Sequence, residues 1–287
     1  MRSRRYLILF FLLGTLLGSA LFTIQSVDAQ KSLAASTRPF EPIEELFYEA
    51  EFSRALLRGL NVAEFKFRSR RTPVSEAVNA TSDPKPYSLT FNADVASKGF
   101  FARLFNLRFR EQVESTVDGT SFTIQKTTIL DEQGKRVRAT ETIYDRPQGK
   151  MSWTLRDPNN PTAEPRKSVT DFSGQLQDVL SAIYFIRTQP LKVGTTFEVF
   201  IGDGGRVYRV PVKVVEKRKM KTVVGKVEVV RVDPELFGPD RLIDDGKGQF
   251  TLWITDDDRH IPVSARIKSE YGTFDVKLKR AVYNSKS

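Results

Sequence analysis

From residue 63 to residue 278 the chain keeps returning to one pattern, in which apolar and polar residues take turns. Ala63, Phe65 and Phe67 alternate with Glu64, Lys66 and Arg68. Tyr87, Leu89, Phe91, Ala93 and Val95 form a second run, and Phe105, Leu107 and Phe109 a third. In the second half Phe197, Val199 and Ile201, then Phe250, Leu252 and Ile254, then Ile261, Val263, Ala265 and Ile267, repeat it. A period of two puts every apolar side chain on one face of an extended strand, and a helix cannot use it. The connections are short and rich in turn formers, as at Asp131–Lys135, Pro147–Gly149 and Gly202–Gly205. The pattern predicts about a dozen strands in an antiparallel meander rather than βαβ units.

Two segments depart from it. Residues 156–174 carry Pro158, Pro161, Pro165 and Gly174 and read as a long loop. Gln175 to Thr188 reads as the one good helix. Leu176, Val179, Leu180, Ile183 and Tyr184 share a face there, and Pro190 ends it. A short helical turn is expected around Lys98 to Leu104. A meander of this length must hide its edges by closing, or by near-closure with a helix over the gap. The expected fold is therefore mainly β: a curved antiparallel sheet or incomplete β-barrel, with the helix as lid or plug. A transmembrane barrel fits less well, because the polar faces carry Arg and Lys without aromatic girdles.

Ahead of the alternating region stands a different pattern. Arg2, Arg4 and Arg5 precede an uncharged, mostly apolar run from Tyr6 to Ile24, followed by Val27-Asp28-Ala29. This is the layout of a secretory signal with a small-x-small cleavage site. An uncleaved anchor is the second reading, since the run is just long enough to span a bilayer. Ser3-Arg4-Arg5-Tyr6-Leu7-Ile8 also begins like a twin-arginine signal, with Leu7 where Phe is usual. The expected organisation is a signal peptide over 1–29, a flexible tether over 30–38 and one β domain over 39–287. The expected location is the periplasm or another extracytoplasmic space.

That location gives the composition its meaning. The chain has no cysteine, so an exported domain of this size rests on burial of its 21 Phe and its many Val, Leu and Ile. With no cysteine and a single histidine, His260, ordinary zinc sites and cysteine nucleophiles are excluded. The sequence calls for no cofactor and no metal. Net charge is +10, of which the leader's Arg2, Arg4, Arg5 and Asp28 account for +2, leaving +8. Outside the cytoplasm that surplus points away from nucleic acid and towards anionic membrane surfaces or a well-solvated exterior. Lys66, Arg68, Arg70 and Arg71, with Arg108 and Arg110, form basic ladders suited to such a surface.

No stretch carries a catalytic signature. Trp253-Ile254-Thr255-Asp256-Asp257-Asp258-Arg259-His260 is the most distinctive. Asp-rich tips are ordinary turns, and the alternating ligands and glycine of a calcium loop are missing. Asp178 and Arg187 suit the two ends of the helix dipole. An inward Arg187 could instead hold a ligand carboxylate or phosphate. The candidate ligand-binding residues are Arg187, Tyr184, Asp256, Asp257, Arg259 and Trp253.

The motifs also occur in a recognisable order. Pro39-Phe40-x4-Glu45-x2-Tyr48 opens the chain's folded part. Asp178-x-Leu180-Ser181-Ala182-Ile183-Tyr184-Phe185-Ile186-Arg187-Thr188 follows mid-chain, then Pro190-Leu191-x-Val193-Gly194. Gly225-Lys226-Val227-Glu228 and Trp253-x-Thr255-Asp256-Asp257-x-Arg259-x2-Pro262-Val263 come last. This resembles the bacterial envelope family of unknown function DUF3108, from about residue 39 to the C-terminus, more closely over 178–283 than over 39–155. The family usually has Gly-Glu where this chain has Glu44-Glu45. The resemblance implies an exported, mostly β protein and transfers no catalytic residue. The leading expectation is a non-enzymatic module that binds a lipid-like or amphipathic molecule in a concave, Phe-rich sheet. The alternatives are a glycan hydrolase using Glu45, Asp256 and Asp257, and a structural protein that binds partners through an open sheet edge.

Overall fold

The computed structural model describes residues 38–73, 86–99, 108–243 and 247–283. The leader, the tether up to residue 37 and most of the turn expected at 98–104 lie outside the described residues. The first half of the fold is β1 (Ile43–Arg54), β2 (Leu57–Pro73), β3 (Tyr87–Ser97), β4 (Phe109–Asp118), β5 (Ile124–Gln133), β6 (Arg136–Asp145), β7 (Lys150–Arg156) and β8 (Arg166–Asp171). After it come β9 (Leu176–Gln177), the helix α1 (Val179–Arg187), β10 (Thr196–Asp203), β11 (Arg206–Thr222), β12 (Gly225–Pro234), β13 (Gly248–Thr255), β14 (Pro262–Ser269) and β15 (Gly272–Tyr283).

Among the described residues all fifteen strands belong to one sheet, ordered β8-β7-β6-β5-β4-β3-β2-β1-β15-β14-β13-β12-β11-β10-β9. Apart from β8 and β9, each strand pairs with its neighbours in sequence, and the first pairs with the last through Glu44↔Tyr283 to Ser53↔Thr273. The order is a ring with one interruption, between β8 and β9. Among the described residues no ladder joins those two edges, but they meet. Gly204 and Gly205 form the β10–β11 turn with φ of 56° and 79°, a region where glycine is favoured. The Gly205 carbonyl accepts a 2.6 Å hydrogen bond from Thr170 Oγ1 on β8. The expected incomplete barrel is an open, strongly curled sheet whose two edges touch at this turn.

The structure departs from the sequence reading in three places. Arg166–Asp171, read as loop, is strand β8. It is an edge strand with no fully buried residue, so it lacks the apolar phase that marks a strand. The helix starts at Val179, not Gln175, because Leu176 and Gln177 pair with Phe200 and Ile201. That pairing is parallel, so β9-α1-β10 is one crossover unit inside an otherwise antiparallel meander.

Helix α1 is a plug. Leu180, Ser181, Ala182, Tyr184, Ile186 and Arg187 are all buried, which covers nearly its whole circumference. It packs on β3, β4, β9 and β10. One core cluster joins Leu180 and Tyr184 to Phe40, Phe91, Val117, Phe122 and Met151. A second joins Ala182 and Ile186 to Val199, Val212, Val230 and Leu252. A third lies under β1 and β12–β15 around Leu46, Tyr48, Ile261 and Leu278.

Candidate functional site

Both ends of α1 are fixed by buried polar groups. At the N-terminus Asp178 caps the helix, accepting from Ser181 N at 2.6 Å while Ser181 Oγ accepts from Asp178 N at 3.0 Å. Its other carboxylate oxygen accepts from Ser115 Oγ on β4 and, at 2.5 Å, from Thr127 Oγ1 on β5. At the C-terminus Arg187 forms a bidentate pair with Glu44 of β1, at 2.7 and 2.8 Å, with both side chains 1% exposed. Arg187 Nε donates to the His260 carbonyl at 2.9 Å and Nη2 to the Arg259 carbonyl at 3.1 Å. His260 Nδ1 lies 2.7 Å from the Arg187 carbonyl. Burial opposes the charge on Arg187, but the Glu44 carboxylate outweighs it and holds the guanidinium pKa above its ordinary range. Tyr184 stacks on Phe91 at 3.9 Å, and its buried hydroxyl has no hydrogen-bond partner among the described residues. Burial raises the pKa of Tyr184 and of Tyr48, whose hydroxyl donates to the Pro262 carbonyl.

Further along the same inner face the packing loosens. Ladder registers align inner residues of neighbouring strands in rows. Ser115, Thr127, Thr142 and Trp153 form a buried row over β4–β7. The next row is Val113, Ile129, Thr140 and Leu155, and beyond it come Glu111, Asp131 and Arg138. Every member of these two outer rows is only partly buried, as is Phe109 at the rim. Asp203, at the end of β10, is close enough to couple to Glu111. The inner face of β4–β7 thus grades from a buried row to two partly buried ones, the outermost of them, the rim, ionisable.

The rim's electrostatics are unusual. Burial, reinforced by Asp131 and Asp203, pushes Glu111 up to about 8. Burial and the nearby Asp178 push Asp203 up to about 7, against the lowering effect of the Gly204 N–H. Burial, with Arg136 and Arg166 close by, lowers the pKa of Arg138. Near neutral pH, Glu111 is mainly the uncharged acid, and a neutral carboxyl both donates and accepts hydrogen bonds. Strongly shifted groups of this kind concentrate at functional sites.

The family model described as "Protein of unknown function (DUF3108)" matches residues 49–279. The chain belongs to the DUF3108 family. No curated protein matches it. Among solved structures, a β-barrel-like protein of the DUF1849 domain of unknown function from Brucella abortus is similar at 10% identity. Its TM-score is 0.48, and the match covers 87% of this chain and 100% of that one. The DUF3108 match begins within β1, after Glu44, so the buried pair joins a family position to one just outside the match.

In this DUF3108 chain the residues singled out from sequence fall in three places. Arg187 and Tyr184 lie inside, on α1. Asp257 Oδ1 accepts from Thr255 Oγ1 at 2.7 Å and from the backbone N–H of Arg259 and His260, each at 3.1 Å. These are the contacts of a turn former. Arg259 reaches the site through its carbonyl, while its guanidinium lies 3.8 Å over the Tyr283 ring. Trp253 and Asp256 sit elsewhere, against Arg218 and Lys217 respectively. Glu45 pairs with Arg68 and Lys66, which lower its pKa although burial opposes them. Glu45, Asp256 and Asp257 therefore each have partners of their own. Among the described residues no group of three or more His, Asp or Glu is placed to hold a metal ion, and no helix is long and apolar enough to cross a membrane.

Sequence reasoning missed Glu111, Asp203 and Arg138. Glu111 carried a signal, since it interrupts the apolar phase that runs Phe105, Leu107, Phe109 and resumes at Val113. A concavity of about 770 Å³ lies over β2–β7, where the polar Asn92, Asp94, Gln112 and Glu114 line it together with Val113, Ile129 and Thr140. Its carboxylates Asp94, Glu114 and Glu141 are already bonded to Arg110, Asn92 and Lys126.

Proposed function

We propose that this protein is an exported, non-enzymatic envelope protein that binds an amphipathic, lipid-like molecule at the partly buried end of its sheet's inner face, which would serve as the mouth. The observation that carries the reading is the graded inner face of β4–β7, fully buried at one end and only partly buried at the other. Val113, Ile129 and Leu155 offer apolar surface to an acyl or other hydrocarbon part. Glu111, Asp131, Arg138 and Asp203 form a polar rim for a head group, a division typical of small-molecule sites. The signal layout of residues 1–29 supports export, and the basic ladders suit an anionic surface nearby. A binding role is favoured over hydrolysis because Glu45, Asp256 and Asp257 are already tied to neighbours of their own.

Trp153 stands in the buried row directly beyond the partly buried ones, and the chain has only one other tryptophan. In a Trp253→Phe background it reports on the mouth alone. Native mass spectrometry after gentle extraction should find a co-purifying amphiphile, and titration with long-chain lipid should shift the Trp153 emission to the blue. A lipid-free protein whose Trp153 emission ignores every amphiphile offered would overturn the proposal. Ile129→Arg should abolish the response while leaving the far-ultraviolet circular dichroism unchanged.

A further inference from the structure

The hairpin of β11 and β12 is longer than the sheet around it. β10 accompanies β11 only as far as Lys213, and β13 accompanies β12 only from Val229 onward. Among the described residues, the ladder from Lys219 to Glu228 therefore pairs only within itself, apart from one backbone hydrogen bond that the Glu228 carbonyl accepts from Asp256 at its base. It is a two-stranded arm, and its two faces differ. Met220, Val224 and Val227 pack onto the third core cluster. Lys217, Lys219, Lys221 and Lys226 occupy the opposite phase and are exposed. Lys217 is bound to Glu228 and Asp256. Among the described residues the other three have no ion-pair partner.

Two features of the arm are costly for a hairpin that serves only the fold. Lys221 and Lys226 stand directly opposite in the ladder, and like charges there repel. The two-residue turn is Val223-Val224, where Asn, Asp or Gly is usual, and Val223 is 53% exposed at the tip. A bilayer with anionic headgroups offsets both costs, because it neutralises the lysines and accepts the apolar tip. A nucleic acid would offset only the first.

We propose that the lysine face and Val223 tip of this arm dock the protein on a membrane that carries anionic phospholipid headgroups. The docking surface is separate from the mouth, and its test does not depend on whether the mouth binds anything. Full-length protein is co-sedimented with vesicles of phosphatidylcholine containing about a third phosphatidylglycerol, and with vesicles of phosphatidylcholine alone. Every variant carries the same N-terminal segment, so differences between variants on the anionic vesicles isolate the arm from that segment's own affinity. The triple variant Lys219→Gln, Lys221→Gln, Lys226→Gln should lower partitioning onto anionic vesicles by at least about tenfold in ~0.1 M salt. Val223→Asp should lower it as well. The control triple Lys135→Gln, Lys167→Gln, Lys192→Gln removes the same net charge from other exposed positions and should lower it less than about twofold. Equal losses in the two triples, or no loss in the first, would overturn the proposal. Tighter binding to a DNA duplex than to anionic vesicles at equal phosphate concentration would overturn it too.

Discussion

Glu44 and Arg187 lie 143 positions apart and meet in the interior, so each depends on the other to be tolerable there. Glu44→Ala strands a buried guanidinium and should cost about 3–5 kcal/mol in urea unfolding. The double variant Glu44→Leu, Arg187→Met removes both charges and should recover most of that loss. If it is no better than the single variant, the hydrogen bonds to the Arg259 and His260 carbonyls matter more than the pair. Glu111 gives a second residue-scale expectation. In the unfolded chain it ionises near 4.5, in the folded one near 8. Below about pH 4 both states are protonated and the shift has no effect. Between the two values the unfolded state ionises and the folded state resists, so stability falls as pH rises and levels off above about 8. Asp203, shifted from 3.8 to about 7, adds to the same decline. Glu111→Gln should match the parent near pH 4 and exceed it at pH 9 by about 1–3 kcal/mol, read from urea midpoints at the two pH values. A carboxylate that hydration keeps ionised in the fold would give no such gain.

At the scale of elements, the seam between β8 and the β10–β11 turn rests on close approach. A Cβ on Gly205 would collide with Ser168 Oγ, and its φ of 79° strains any other L residue. Gly205→Ala should destabilise by about 1–3 kcal/mol and speed hydrogen exchange in β8 before any other strand. Adding Ser168→Ala should return only the steric part. The strands themselves were legible because alternation is a local signal: the runs at Tyr87–Val95 and Phe250–Ile254 can be placed by eye. β8 and β9 were not, since an edge strand buries little and a two-residue strand has no period. The plug was half legible. Its apolar stripe is plain, but burial of Ser181 and Arg187 depends on partners from β1, β4 and β5 that no spacing announces. The rim failed to stand out for the same reason. Glu111, Asp131 and Arg138 become neighbours only through ladder register, and Asp203 was hidden in a glycine-rich turn.

For the whole molecule, the main fact is the ring with its opening in the middle of the sequence. Glu44 lies beside Tyr283, so the ends of the described fold are already neighbours. A circular permutant that joins them through a short Gly/Ser linker and opens the chain at Asn160 should fold to the same sheet, with near-parental circular dichroism and thermal midpoint. Residue 160 is exposed and sits in the connection that leads to the seam. Collapse of that permutant would mean that β7 and β8 need a continuous connection to reach Gly205. The same topology sets an order of events in time. Strands β1 to β8 can zip up one after another as the chain is made, each finding a partner it has just left. β1 keeps one side unsatisfied until β15, the last of the described strands, arrives. The slowest contact to form is therefore the one between the two ends, and until it forms the growing protein presents a bare strand edge to its surroundings.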